Sequence, residues 1–204
     1  MNSRVLLVGL GGIGSEIVSN VEKMAAETHK NNIRFAILDT DVNTLNRIKR
    51  EGFGGKVIQI SDNMTVGQCY EVYKKSNERW YLDNKLLADK PMTEGAGQVR
   101  AVSRLAFEQT KKKGALHPLE QCLTDLFETN SSDTGTALRI LIVSSLAGGT
   151  GSGIILPAAL YLRECLATQK KCKAVIVRGT FLTADCFFSI LRSEYERKSL
   201  AGNA

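Results

Sequence analysis

The chain has 204 residues, 43% of them hydrophobic, with a formal charge of +6 and a pI of about 9.1. That length holds one large domain, or a domain with appendages, and the apolar fraction is enough for a real core. The basic runs at 111–113 and 170–171 fall at the ends of predicted helices, where cations complement the helix dipole. No aromatic–basic stripe accompanies them, so nucleic acid is not an expected partner. Five cysteines at 69, 122, 165, 172 and 186 form no CxxC pair, and the two histidines, His29 and His117, lie far apart. No metal site is legible from these residues, and reduced, buried thiols in a cytoplasmic protein are expected. The N-terminus carries no signal-like apolar core.

Residues 4–9 (RVLLVG) read as a buried parallel strand. Residues 9–14 (GLGGIG) then form a GxGxxG between that strand and a helix with Ile13, Ile17, Val18, Val21, Met24 and Ala25 at helical spacing. Residues 33–38 are a second strand, closed by Asp39-Thr40-Asp41. A GxGxxG with an acid at the end of the second strand is the dinucleotide fingerprint. On that reading this half is a Rossmann NAD(P)-binding oxidoreductase domain with Asp39 on the ribose. Asp41 suits the N-cap of a helix over 42–50, whose Leu45 and Ile48 point inward.

Residues 56–60 (KVIQI) read as a third strand. Residues 61–90 are polar, with Trp80-Tyr81-Leu82 and Leu86-Leu87 as apolar islands, and one or two short helices inserted at the sheet edge are expected there. Thr93 to Gln98 contains Gly95-Ala96-Gly97 and precedes a helix over 99–112, with Val102, Leu105, Ala106 and Gln109 near one face. Pro118 opens another helix, in which Leu119, Cys122, Leu123, Leu126 and Phe127 share a face. After a polar loop at 130–135, residues 140–143 (ILIV) are a central strand and 147–153 (AGGTGSG) a glycine loop. An apolar helix over 154–167, a strand over 173–177, a loop over 179–186 and a helix over 189–200 complete the chain.

No charge lies between Arg139 and Arg163, but glycines at 148, 149, 151 and 153 occupy the middle of that stretch. Free backbone groups are costly in lipid, so membrane insertion is not expected. A strand, a glycine loop and a helix start make a phosphate cradle instead. Glycine lets backbone N–H groups approach an anion, the helix adds unpaired N–H groups and the positive end of its dipole, and Thr150 and Ser152 add hydroxyl donors. The loop is not a Walker A sequence, because no lysine follows the last glycine.

Gly148-Gly149-Thr150-Gly151-Ser152-Gly153 resembles the signature loop of the tubulin/FtsZ superfamily, GGGTGSG or GGGTGTG. Ala147 stands at the first glycine, and Pro157 sits where bacterial members often carry a proline. Asp39-Thr40-Asp41 is similar to the family's NTD or DTD turn. Gly95-Ala96-Gly97 matches part of a loop that contacts the terminal phosphate, without that loop's proline and asparagine. This resemblance uses both glycine turns, where the Rossmann reading leaves the second idle.

The resemblance implies a three-layer α/β fold, a mostly parallel sheet with helices on both faces. It implies a site for GTP or GDP with Mg²⁺, built from Gly11, Gly12, Ile13, Asp39, Asp41, Gly95, Ala96, Gly97, Ala147, Gly148, Gly149, Thr150, Gly151, Ser152 and Asp185. Asp41 would stand on the magnesium side, and Asp185 and Arg192 near sugar and base. Guanine rests on the resemblance alone. Residues 1–204 would be the nucleotide-binding half, without most of the central helix and without the acidic loop and C-terminal domain. Head-to-tail self-association into a cytoskeletal filament is implied for the full-length protein, as is hydrolysis only when a neighbour supplies the acidic loop.

Overall fold

The computed structural model describes residues 3–25, 31–77, 80–81, 85–128, 137–167, 174–188, 193–194 and 197–198. Five strands form the sheet: β1 (Ser3–Leu10), β2 (Ile33–Asp39), β3 (Lys56–Gln59), β4 (Ala137–Ser145) and β5 (Ala174–Leu182). They are all parallel, in the order β3-β2-β1-β4-β5. The helices are α1 (Gly11–Met24), α2 (Val42–Arg50), α3 (Val66–Asn77), α4 (Arg100–Lys112), α5 (His117–Glu128) and α6 (Gly149–Ala167).

Side chains alternate across a strand, so β1 feeds two cores. Leu6, Val8 and Leu10 point to the face covered by α5 and α6, where they join Leu119, Leu123, Ile154 and Leu162. Leu7 points the other way and packs with Val18 of α1 and Leu45 and Ile48 of α2. Helices therefore lie on both faces, and the three-layer expectation holds. Within α1, however, only part of the apolar stripe is inside. Val18 is fully buried, whereas Val21 is 41% and Met24 84% exposed. These two border an apolar cavity of about 500 Å³ with Val5, Leu7, Phe35, Leu141 and Val143.

The segment after β3 is helical, as expected, but it packs on α4 rather than along the sheet. Val66, Cys69, Tyr70 and Tyr81 meet Val102, Leu105 and Ala106 in a small separate core. Trp80 stacks under the Arg104 guanidinium, 4.2 Å from the ring centre, and edge-on to Tyr81. Asp62 ties the segment down by accepting from Gln109 Nε2 at 2.9 Å and from Lys113.

Three elements differ from the sequence reading by more than one residue. β4 runs from 137 to 145 because both its neighbours pair along it. β5 continues to Leu182, so the expected loop at 179–186 is strand for its first four residues, held in register from Ala137↔Ala174 to Ser145↔Leu182. α6 begins at Gly149, five residues earlier than expected, so the glycine run is the helix's own first turns. Low helix propensity argued for loop there, and close packing of those glycines overrides it. The expected loop at 130–135, Arg192 and most of the expected 189–200 helix lie outside the described residues. No helix among the described residues is long and apolar enough to cross a membrane.

Candidate functional site

The strand order reverses direction between β1 and β4: the chain leaves β1 toward β2 on one side and β4 toward β5 on the other. Parallel sheets bind ligands at such switch points, beyond the C-terminal ends of the strands. β1 and β4 end side by side, with Leu10 paired to Ser144. α1 and α6 both begin there, so two sets of unpaired helix N–H groups share one place.

The two glycine turns are in direct backbone contact. Gly11 has φ +71°, a left-handed conformation that L side chains rarely adopt, and a Cβ on it would lie 2.7 Å from the Gly151 nitrogen. A Cβ on Gly151 would lie 2.2 Å from Ser144 Oγ and 2.7 Å from the Leu10 carbonyl. Between the turns is a cleft of about 360 Å³, lined by Leu10, Gly11, Gly12, Ile13, Glu16, Thr44, Arg47, Ser145, Gly148, Gly149, Thr150 and Gly151.

Seven of the residues singled out from sequence line this cleft: Gly11, Gly12, Ile13, Gly148, Gly149, Thr150 and Gly151. Ala147 is buried behind it, and its N–H donates to Ser145 Oγ at 3.2 Å. A methyl group fits there, which explains why alanine can replace glycine. Ser152 turns its hydroxyl back onto the carbonyl of Gly148, the residue just before the helix.

Asp39 lies under the first turn, 2% exposed, with Oδ1 accepting from the Thr40 N–H at 2.7 Å and the Asp41 N–H at 3.2 Å. Burial pushes its pKa up to about 6, against the lowering effect of those N–H groups and the Thr150 hydroxyl. Thr40 Oγ1 and Thr150 Oγ1 are 2.7 Å apart, which links the end of β2 to the second turn. Asp41 caps α2, with its carboxylate accepting from the Asn43 N–H at 2.9 Å and Thr44 Oγ1 at 2.8 Å.

The 93–98 turn closes one flank. Gly95 (φ +83°) sits beside Asp41, and Ala96 is buried in the α3–α4 core. Gly97 is followed by Gln98, held at φ +63°, whose backbone presses on Gly149 so closely that a Cβ there would be 2.6 Å from the Gln98 Cα. Ser103 of α4 donates to the Gly149 carbonyl at 2.8 Å, fixing that helix start. Asp185 is exposed in a short 3-10 helix (Ala184–Phe187) after β5 and does not line the cleft.

Sequence reasoning passed over Glu16, Thr44, Arg47 and Ser145. The inward residues Leu45 and Ile48 of α2 leave Arg47 on a polar face, and only the spacing of α1 and α2 turns that face toward Glu16. The two side chains form an ion pair at the cleft.

Two glycine turns face each other at the switch point of a doubly wound parallel α/β sheet, where such folds bind their ligands. Sequence comparison narrows the class: the chain matches the family model described as "Tubulin like" over residues 6–204, and it belongs to that family. No curated protein matches it. Among solved structures it is similar to CetZ2 from Haloferax volcanii in a GTPγS-bound protofilament, with a TM-score of 0.51 and 14% identity over 97% of this chain and 55% of that one. It is also similar to TubZ of Bacillus thuringiensis serovar israelensis in a GTPγS-form protofilament, with a TM-score of 0.48 and 14% identity over 98% of this chain and 40% of that one. The chain thus spans about half the length of these structural relatives.

The NAD(P) oxidoreductase reading is not favoured. The strand order is shared with Rossmann domains, so topology does not separate the two. The family match does: residues 6–204 fit the tubulin-like model, and Asp39 is buried, with Oδ1 accepting from the Thr40 and Asp41 N–H groups.

Proposed function

We propose that this chain binds a guanine nucleotide, GTP or GDP, in the β1/β4 cleft, as the nucleotide-binding domain of a tubulin-like filament protein. One observation carries the reading: Gly11 and Gly151, 140 positions apart in sequence, meet backbone to backbone at the wall of one cleft. The cleft's size is in the range of small-molecule sites. Gly12, Ile13, Gly148, Gly149 and Thr150 would present N–H groups to phosphates, with the Thr150 hydroxyl beside them. Gly95, Ala96 and Gly97 would support the terminal phosphate from the flank.

Mg²⁺ belongs to the same proposal. No group of three or more His, Cys, Asp or Glu side chains converges among the described residues. The ion would therefore draw most of its ligands from phosphate oxygens and water, as Mg²⁺ commonly does, with Asp41 on one side. Bound there, Mg²⁺ would neutralise charge on the terminal phosphates. Family membership supports head-to-tail self-association, and hydrolysis would belong to that assembled state. Residues 1–204, with the insert at 61–90, would serve as the nucleotide-binding unit.

Thermal melting with GTP, ATP and NAD in turn tests the reading. GTP at 100-fold excess over its Kd should stabilise the chain by ~2.7 kcal/mol, with no shift from NAD. Stabilisation by NAD and none by GTP would overturn it.

A further inference from the structure

The cleft is lined by glycines, hydroxyl residues, Leu10 and Ile13, with one cation, Arg47, and one anion, Glu16, among the described residues. Glu16 sits on α1 one turn beyond Gly11 and Gly12, and Arg47 reaches it from α2. A second carboxylate, Glu51, accepts from Arg47 Nη1 at 3.0 Å and is shared with Lys23 at 3.4 Å. We propose that Arg47 is the phosphate-engaging cation of this cleft and that Glu16 is its built-in competitor, so that ligand phosphates take Arg47 from Glu16. This rests on the nucleotide-binding reading and adds a residue that neither glycine turn supplies.

The energetics favour the exchange. The side chains of Arg47 and Glu16 are 44% and 36% exposed, so the pair is a surface ion pair, screened by solvent and weakly held. A phosphate offers the guanidinium more negative charge and more acceptor oxygens than a single carboxylate, in short charge-assisted hydrogen bonds. The guanidinium fork can engage a phosphate through two parallel N–H bonds and keep Glu51 as an anchor. Glu16, released, turns toward water. The two partners of one ion pair therefore act on phosphate affinity with opposite signs, which no purely structural role for the pair would produce.

Calorimetric titration of the chain and of Arg47→Met and Glu16→Gln, with GTPγS, inorganic tripolyphosphate and guanosine as probes, tests this. Arg47→Met should weaken GTPγS and tripolyphosphate binding about tenfold, the equivalent of ~1.4 kcal/mol. Glu16→Gln should tighten both about threefold, from one removed like charge at a screened site. Guanosine affinity should be the same in all three. Unchanged affinity in both variants, or equal weakening in both, overturns the exchange while leaving the nucleotide reading intact. A wild-type chain that binds tripolyphosphate but not GTPγS overturns the guanine reading alone, and one that binds neither overturns both.

Discussion

The turn after β1 and the turn after β4 share a composition and differ in surroundings. Each braces the strand of the other: a Cβ on Gly14 would lie 2.3 Å from the Val143 carbonyl of β4, as one on Gly151 would strike Leu10 of β1. The first turn then faces charge, with Asp39 beneath it and Glu16 and Arg47 beside it. The second faces hydroxyls, from Thr40, Thr150, Ser144 and Ser145, and is pressed from the flank by Gln98. Each turn also keeps one open glycine. A Cβ on Gly12 would have Asp39 Oδ2 as its nearest neighbour at 3.9 Å, and one on Gly148 would meet nothing within 4 Å. The same residue type therefore does two jobs, close packing and room for a ligand, and substitutions separate them.

The largest effect is expected at a packing glycine. Gly151→Ala must push apart Ser144 and the Leu10 backbone, so urea denaturation should show a loss of about 3 kcal/mol or more, at the upper end of overpacking costs. Next is the acid under the first turn. Asp39 has a folded pKa of about 6, above its ordinary 3.8, because burial disfavours the charge. The folded chain keeps that proton where the unfolded chain has lost it, so its contribution is full below about pH 3.8 and is lost as pH rises through about 6. Against Asp39→Asn as reference, wild-type stability should fall by roughly 2–3 kcal/mol between pH 4 and 7. A flat difference would mean that the carboxylate is ionised throughout.

Smaller effects fall on the second turn. Thr150→Val removes the hydroxyl shared with Thr40 and should cost about 1 kcal/mol of stability. On the nucleotide reading it should also weaken GTPγS binding about tenfold, by loss of one donor to an ionised oxygen. Gly148→Ala should leave stability within about 0.5 kcal/mol, as expected away from packed sites. Its methyl group would still enter the cleft and lower GTPγS affinity. Equal loss of stability in Gly148→Ala and Gly151→Ala would erase the distinction between the two kinds of glycine.

Much of this was legible beforehand. Alternating strands and helices, the two turns and their shared end of the sheet follow from periodicity and from glycine placement. The extent of β5 was not, because Gly179 reads as a break. In the folded chain its missing side chain makes room for the Phe181 ring, which would lie 2.1 Å from a Cβ at 179. Nor was the start of α6 at Gly149, since propensity alone cannot register packing against Gln98 and Ser103. Arg47 and Glu16 lie 31 positions apart on two helices, and no local pattern pairs them. Val21 and Met24 show a limit of periodicity: they share the helical spacing of buried Val18, yet are 41% and 84% exposed.

Amide NMR during a GTPγS titration tests the shared-site account most directly. Gly12 of the first turn and Gly148 of the second should shift together, along one isotherm with one Kd. Shifts confined to residues 9–14, or two isotherms of different affinity, would contradict a single phosphate-bearing ligand held between the turns.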